Sequence, residues 1–543
     1  MGDGRMRHYL GQHRLAVSIE MGLLILIEGL VVYGSVLNAD ILNALIKGER
    51  GLFLFKIGLL MVTWIGIAAV NYVSAVYQER VIQDIDISIR QDLADILTQK
   101  DYEAYNSRAT GVYESWVNND IQTINTQGLQ NYFTVVQGIF GTIFALITLI
   151  AYHWSLALTA LGLAGLIILA PKIFDKRVLQ ANQQLTHANE AFVDQTQGVL
   201  GVFNLLYAFR SLKLLKQEIV AASQSLKQVN VNRMRAQSSV MVVGLLGNVI
   251  SQVVLLGMSG VLAIFKIVSI GTLSAVGSLS GNIFNNLGSM SNYLGMIRGV
   301  APIFAKFTLE RQSLSNSDPH QSRVIAPAPT LTVQDLSYGY QPDQAVFQHV
   351  TYQFAAGKKY LILGASGSGK STFLKVLGGY LTNYTGKITI AGQSMRALSV
   401  SQLRTRILYL DQSPQALATT VRRNLVLTND YSDDELIQVL LATKLCISER
   451  TGRKFLDKNV GEGGRNLSGG QLQRLALARG LLRHVPVILL DEGTSAVDAG
   501  NAVKIERLLL TNPTLTLIMI SHTPHEATAG LFDEVIQFED WLT

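Results

Sequence analysis

The chain has 543 residues, too many for one hydrophobic core, so two or more domains are expected. It carries 45 Lys and Arg against 39 Asp and Glu, a net charge of +6, but the cations concentrate beside long apolar runs, where positive-inside membrane topology accounts for them and argues against a nucleic-acid partner. The single cysteine, Cys446, rules out an intramolecular disulfide and suits a reducing cytosol, where it reads as a small core residue.

Six apolar runs, at residues 15–37, 52–77, 130–151, 154–174, 240–266 and 271–296, each reach about the 20 residues that a bilayer requires. The first is too long for a cleaved signal and lacks a small-residue cleavage site. Arg5, Arg7 and Arg14 precede the first run, Lys172, Lys176 and Arg177 follow the fourth, and Arg233 and Arg235 precede the fifth. That distribution predicts a cytosolic N-terminus and a multi-pass protein of the cell membrane, with the long segments 78–129 and 175–239 in the cytosol. At 1.5 Å per residue, about 20 helical residues out and 20 back would carry each segment roughly 30 Å below the bilayer.

The first cytosolic segment breaks its helical pattern at 102–110, as a short transverse element would. The second holds the apolar cluster Leu205, Leu206, Tyr207, Ala208, Phe209 and Arg210, which requires either a partner or its own hairpin to cover it. In the sixth run Ser278, Asn282, Asn286 and Ser289 share a helical face, with Asn285 and Asn292 beside them, and in the fifth Asn248 and Gln252 stand one turn apart. Such groups are expected toward a bundle interior or a water-filled cavity, as inter-helix glue or as substrate lining. Glu28 falls mid-span, where a carboxylate costs about 2.5–3.5 kcal/mol on insertion scales, and is expected either to face the pathway and bind a polar or cationic substrate group or a proton, or to pair structurally within the bundle. Glu20, nearer the cytosolic end, is expected to snorkel.

A polar, proline-bearing stretch at 313–330 reads as a linker between a membrane domain at 1–312 and a soluble α/β domain at 331–543. Strands are expected at 331–336, 351–354 and 359–363. The last runs into Gly364, Ala365, Ser366, Gly367, Ser368, Gly369, Lys370, Ser371 and Thr372, and then into a helix. Glycines in this strand–loop–helix setting let successive N–H groups converge on phosphate oxygens, with Lys370 reaching the β- and γ-phosphates and Ser371 offering its hydroxyl to Mg²⁺. The apolar strand 487–490 ends in Asp491 and Glu492, read as a Mg²⁺ holder and a general base toward water. Between the two, Leu467, Ser468, Gly469, Gly470 and Gln471 open a helix and form a second anion site. Two cradles in one domain are most simply used by a head-to-tail dimer.

In order and spacing these motifs resemble the ATP-binding cassette family, and the six preceding spans resemble its exporter-type half-transporters. The resemblance implies a six-helix transmembrane domain followed by a P-loop NTPase, with ATP and Mg²⁺ as cofactors. It also implies a second half-transporter as partner, whether a second copy or a different chain. It implies that Tyr340 stacks on adenine, with Tyr338 the weaker candidate; that Gln412 contacts Mg²⁺ and water; that Asp498, in the run from Ser495, joins the two sites; and that His522 contacts the γ-phosphate. The breaks at 102–110 and 205–212 would be coupling helices, and residues 460–465 would touch them. Gly493 departs from the alanine usual after the glutamate. ATP-driven export of an amphipathic small molecule, peptide or lipid is the leading expectation, with uptake of a metal chelate or vitamin, or a regulatory ATPase that transports nothing, as alternatives.

Overall fold

The computed structural model describes residues 2–169, 173–312, 328–341, 344–521 and 524–541. It forms two compact units: Met1–Ile96 with Thr110–Ser313, and Leu97–Ala109 with Leu314–Thr543. The tip of the first cytosolic segment therefore groups with the C-terminal unit. Most of the expected linker lies outside the described residues, as do His522 and Lys172.

The first unit is all helix. A short helix α1 (Gly2–Gln12) leads into α2 (Arg14–Ile46), and α3 (Arg50–Thr98) returns antiparallel to it. Beyond the short α4 (Tyr102–Asn106), α5 (Thr110–Tyr152) is one 43-residue helix with wide π turns at Trp116–Asp120 and Ile124–Leu129. Then follow α6 (Trp154–Leu169), α7 (Asp175–Gly201), α8 (Phe203–Ala208), α9 (Leu212–Ile264), α10 (Thr272–Gly299) and α11 (Ala301–Gln312). By length and composition α2, α3, α5 and α9 can each cross a membrane; α6 is shorter, and α10 is diluted by its amides. Each of the six apolar runs lies on one of these helices, the fourth on α6 up to its end. The 49 residues of α3 and 53 of α9 make helices about 75–80 Å long, far more than a hydrocarbon core of about 30 Å, so both extend well beyond it.

Small residues let the spans close. Ala39, Ala145, Ala157, Ala160 and Ala275 pack with Leu149, Leu255, Leu279, Ile283 and Phe284 in one buried cluster, as expected of helices that associate by close packing. Glu20 does not snorkel: it is fully buried and accepts from Ser74 Oγ at 2.6 Å, because its face of α2 lies against α3. The amide stripes meet, with Gln252 Nε2 donating to Asn248 Oδ1 and Asn248 Nδ2 donating to Asn285 Oδ1, both at 2.6 Å. Within the apolar cluster of the second cytosolic segment Leu206 is buried, whereas Leu205, Tyr207 and Phe209, with Phe203 just before it, are exposed.

The second unit is a two-sheet α/β domain. An antiparallel sheet in the order β2-β1-β4-β5 combines β1 (Leu331–Gln341), β2 (Gln344–Phe354), β4 (Thr385–Ile390) and β5 (Gln393–Ser394). A parallel sheet in the order β6-β7-β8-β3-β9 combines β3 (Lys359–Leu363), β6 (Ile407–Leu410), β7 (Val487–Asp491), β8 (Thr516–Ile520) and β9 (Glu534–Gln537). β1 and β2 outrun the expected strands, because register shifts along β1 and a left-handed Asp335 (φ 51°) break the alternation that marks a strand in sequence.

The strands β7 and β8 are buried throughout, as a sheet covered on both faces requires. Val487 and Leu489 point into the core shared with Phe373 and Leu377 of α12 (Lys370–Leu377), and Ile488 and Leu490 into the core shared with Ile505 and Leu509. Alternation then sends Asp491 to the side of α12. Cys446 is buried in a separate helical cluster with Leu436, Leu440 and Leu475.

Candidate active site

The loop at 364–372 is shaped by its glycines. Gly367 (φ +80°) and Gly369 (φ +104°) hold left-handed backbone, and a Cβ on Gly369 would meet Val346 Cγ1 at 2.5 Å, so only glycine turns the chain into α12 there. Lys370 Nζ donates to the carbonyls of Gly364 (2.8 Å) and Ala365 (2.5 Å), which places its charge inside the curl. From the far end of the chain, Glu539 Oε1 accepts the Ala365 N–H at 2.6 Å. That bond, followed by its own backbone N–H and the Lys370 charge, holds its carboxyl below the ordinary range.

Asp491 is 2% exposed. Its Oδ1 accepts from Ser371 Oγ at 3.1 Å and its Oδ2 from Tyr409 Oη at 2.9 Å. Burial raises its pKa above the usual carboxylate range, the two hydrogen bonds oppose the rise, and the negative charges of Asp411 and Glu492 add to it. The next residue, Glu492, adopts left-handed backbone (φ 49°) and accepts from Gln412 Nε2 at 2.7 Å on Oε2. Gly493 has a local reason: a Cβ there would collide with the side chain of Leu490, which is fully buried.

Tyr340 keeps its ring 65% exposed and reaches Thr372 Oγ1 through its hydroxyl at 3.1 Å, whereas Tyr338 is buried against Phe347. Of the two rings, that of Tyr340 is the exposed one. Ser468 caps its helix reciprocally with Gln471: Ser468 Oγ accepts the Gln471 N–H and Gln471 Oε1 accepts the Ser468 N–H. Asp498 caps the next helix by accepting from Asn501, which lowers its pKa. Thus Ser371, Asp491, Glu492 and Gln412 come together beside the glycine loop, while no hydrogen bond among the described residues joins 468–471 or Asp498 to that loop.

Three positions escaped the sequence reading. Gln473 lies within reach of the carbonyls of Gln412 and Glu492 (both 3.4 Å), donates to Ser495 Oγ (3.2 Å) and accepts the Ala496 N–H (2.9 Å), tying three motif segments together. Its only sequence signal is its place one turn into the helix after Ser468. Glu506, 3% exposed, accepts from Thr494 and Thr528 hydroxyls and lies 2.9 Å from His525 Nδ1. Tyr409 continues a line of rings: Tyr409 packs on Tyr380 (5.3 Å between centroids), and Tyr380 receives Tyr102 of α4 edge-on (4.9 Å). Glu103 of α4 accepts from the backbone N–H (3.1 Å) and hydroxyl (2.9 Å) of Thr382. The expected transverse element at 102–110 therefore docks on the α/β domain.

A family model described as ABC transporter matches residues 347–495, and one described as ABC transporter transmembrane region matches residues 18–287. The chain belongs to the ABC transporters. Membrane and cassette regions are fused in one chain, as in exporter-type members, and the cassette is an ATP-binding domain. The transporter is 25% identical over 475 residues to the multidrug resistance ABC transporter ATP-binding and permease protein of Lactococcus lactis subsp. cremoris, covering 84% of this chain and 77% of that protein. It is 24% identical over 504 residues to the ATP-dependent lipid A-core flippase of Vibrio vulnificus, covering 90% and 84%. With the microcin-J25 export ATP-binding/permease protein McjD of Escherichia coli it shares 38% over 194 residues, 35% of this chain and 33% of that relative's length. A solved bacterial Atm1-family ABC exporter with ATP bound superposes with a TM-score of 0.76, 18% identity and coverage of 94% and 91%, which establishes the shared fold.

The oxygens of Ser371 and Asp491 suit a hard cation such as Mg²⁺. The described residues contain no cluster of three or more His, Cys, Asp or Glu that could hold a metal by itself.

Proposed function

We propose that the chain is one half of a dimeric, ATP-driven exporter of the cell membrane, with domains at 1–312 and 331–543 and the cassette and N-terminus in the cytosol. The observation that carries the catalytic part is the pairing at two successive residues: Asp491 with Ser371, and Glu492 with Gln412. Tyr340 offers its ring to adenine, and the N–H groups from Gly367 to Thr372 together with Lys370 hold the phosphates. Ser371, Asp491 and Gln412 would hold Mg²⁺, which would supply positive charge against the phosphates. Glu492 takes the proton of the attacking water, and Gln412 fixes the carboxylate that does so. Ser468, Gly469, Gly470, Gln471 and Asp498 serve the site completed with the partner half, and His522 the γ-phosphate. ATP binds the closed cassette pair better than the open one and so shifts the membrane helices between inward- and outward-facing arrangements.

Export of an amphipathic small molecule, peptide or lipid is supported by the relatives, whose names specify multidrug resistance, microcin export and lipid A flipping. In this reading α4 and the exposed cluster around Phe209 are the two couplings to the cassettes. Hydrolysis by the purified chain in lipid tests the site. Glu492→Gln is expected to retain ATP binding and lose turnover by at least about 100-fold; turnover at the wild-type rate would refute the assignment.

A further inference from the structure

The middle of the membrane unit holds a carboxylate that is given no cation by the described residues. Glu28 lies near the midpoint of α2, is 8% exposed, and accepts from Gln137 Nε2 of α5 at 2.8 Å on Oε1. Gly141 stands beside it: a Cβ there would lie 2.5 Å from Glu28 Oε2 and 3.1 Å from Asn286 Nδ2, so the bare backbone of α5 is what admits both groups. One turn earlier Gly138 does the same for Asn286, whose Cβ would be 3.5 Å from an added side chain. Asn286 also lines a cavity of about 150 Å³, together with Thr134, Gly138, Asn285, Ser289 and Tyr293. A carboxylate, two amides and two glycines from three helices thus converge at mid-span, and the neighbouring cavity is lined by hydroxyls and amides together with the apolar Val135 and Met290.

The other acids of this helix are accounted for differently. Asp40 pairs with Lys56 at 2.8 Å, and Glu20 is sealed against Ser74. For Glu28 no such partner is found among the described residues, and residues 15–46, 57–78, 130–152, 154–169, 240–264 and 272–297 contain no Lys, Arg or His. A second copy of the chain would bring none either. Gln137 is neutral and can orient the carboxylate without compensating its charge, which is costly at this depth.

We propose that Glu28, oriented by Gln137, is the charge-recognition point of a substrate chamber and selects amphipathic cations, with the charged head toward the cavity that Asn286 lines. The inference rests on the exporter reading and adds the substrate class. A ligand cation supplies the charge that the protein withholds, and the hydroxyl and amide lining accepts what remains of its hydration.

Two probes separate charge from shape: octyltrimethylammonium, permanently cationic, and octyldimethylamine N-oxide, which has the same chain and no net charge. Proteoliposomes of the full chain are assayed for ATPase stimulation and for ATP-driven flux of each radiolabelled probe. The wild type is expected to respond to the ammonium probe at a concentration at least about tenfold lower than to the N-oxide, equivalent to about 1.4 kcal/mol. Glu28→Gln should erase that preference and leave the N-oxide response unchanged, and Glu28→Asp should keep part of it. No preference in the wild type, which requires no variant to fold, or an equal preference in Glu28→Gln, overturns the proposal. ATP-driven flux of the N-oxide without cation preference would overturn this inference alone. A Glu28-dependent cation response without flux of either probe would overturn the export reading and leave the site standing.

Discussion

Replacing Tyr409 with phenylalanine removes one oxygen atom and tests how the Mg²⁺ carboxylate is tuned. The ring contact with Tyr380 is kept, and Asp491 loses the donor that stands 2.9 Å from Oδ2. A hydrogen bond to an ionised partner contributes about 1.5–3 kcal/mol, so its loss favours the protonated carboxyl by about tenfold or more. Burial already raises the Asp491 pKa, and the Tyr409 hydroxyl is one of the two bonds that hold it down, so the variant's value must rise further. ATPase activity as a function of pH is the assay. The acid limb should move to higher pH, kcat/KM for Mg-ATP should fall about tenfold on that limb, and alkaline pH or excess Mg²⁺ should restore it.

The same shift sets the sign for stability. Because the folded pKa lies above the unfolded one, the contribution of Asp491 to stability is complete in acid, below the unfolded value, and is lost as pH rises through the folded value. Acid inactivation through this group should therefore be reversible without unfolding. An unmoved acid limb, or a loss of activity equal at every pH, would refute the tuning argument.

Two further variants probe other links. Tyr102→Ala with Glu103→Ala removes the edge-on ring contact and both bonds to Thr382, and should lower transport about tenfold while basal ATPase stays within about twofold, since neither residue touches the nucleotide loop. Glu506→Ala leaves the Thr494 hydroxyl without its Glu506 acceptor and the Thr528 hydroxyl with only the His525 carbonyl, in a buried setting, and should destabilise the cassette by about 2 kcal/mol, read as a lower Tm in calorimetry.

What was legible in the sequence was local. The glycines of 364–369 announce a curled backbone, Ser468 the start of a helix, and 487–491 its double burial, because each depends on residues within a few positions of one another. What was illegible depends on contacts distant in the chain. Tyr409 meets Asp491 82 residues later, Glu539 reaches back 174 residues to Ala365, and Gln473 meets Gln412 across 61. Residue type alone did not separate Tyr338 from Tyr340; burial did. Glu20 misled for a related reason: its distance from the helix end suggested access to the interface, but the side chain faces α3. The amides of α10 were visible as a stripe, whereas the glycines of α5 that receive Asn286 acquire meaning only once the two helices are packed together.

The measurement that tests the central claim most directly is ATP-driven flux in sided vesicles, comparing the wild-type chain with Glu492→Gln. Substrate moved away from the cassette side, only with ATP and only by the wild type, is the predicted result. Flux toward the cassette side, or equal flux by both proteins, would contradict it.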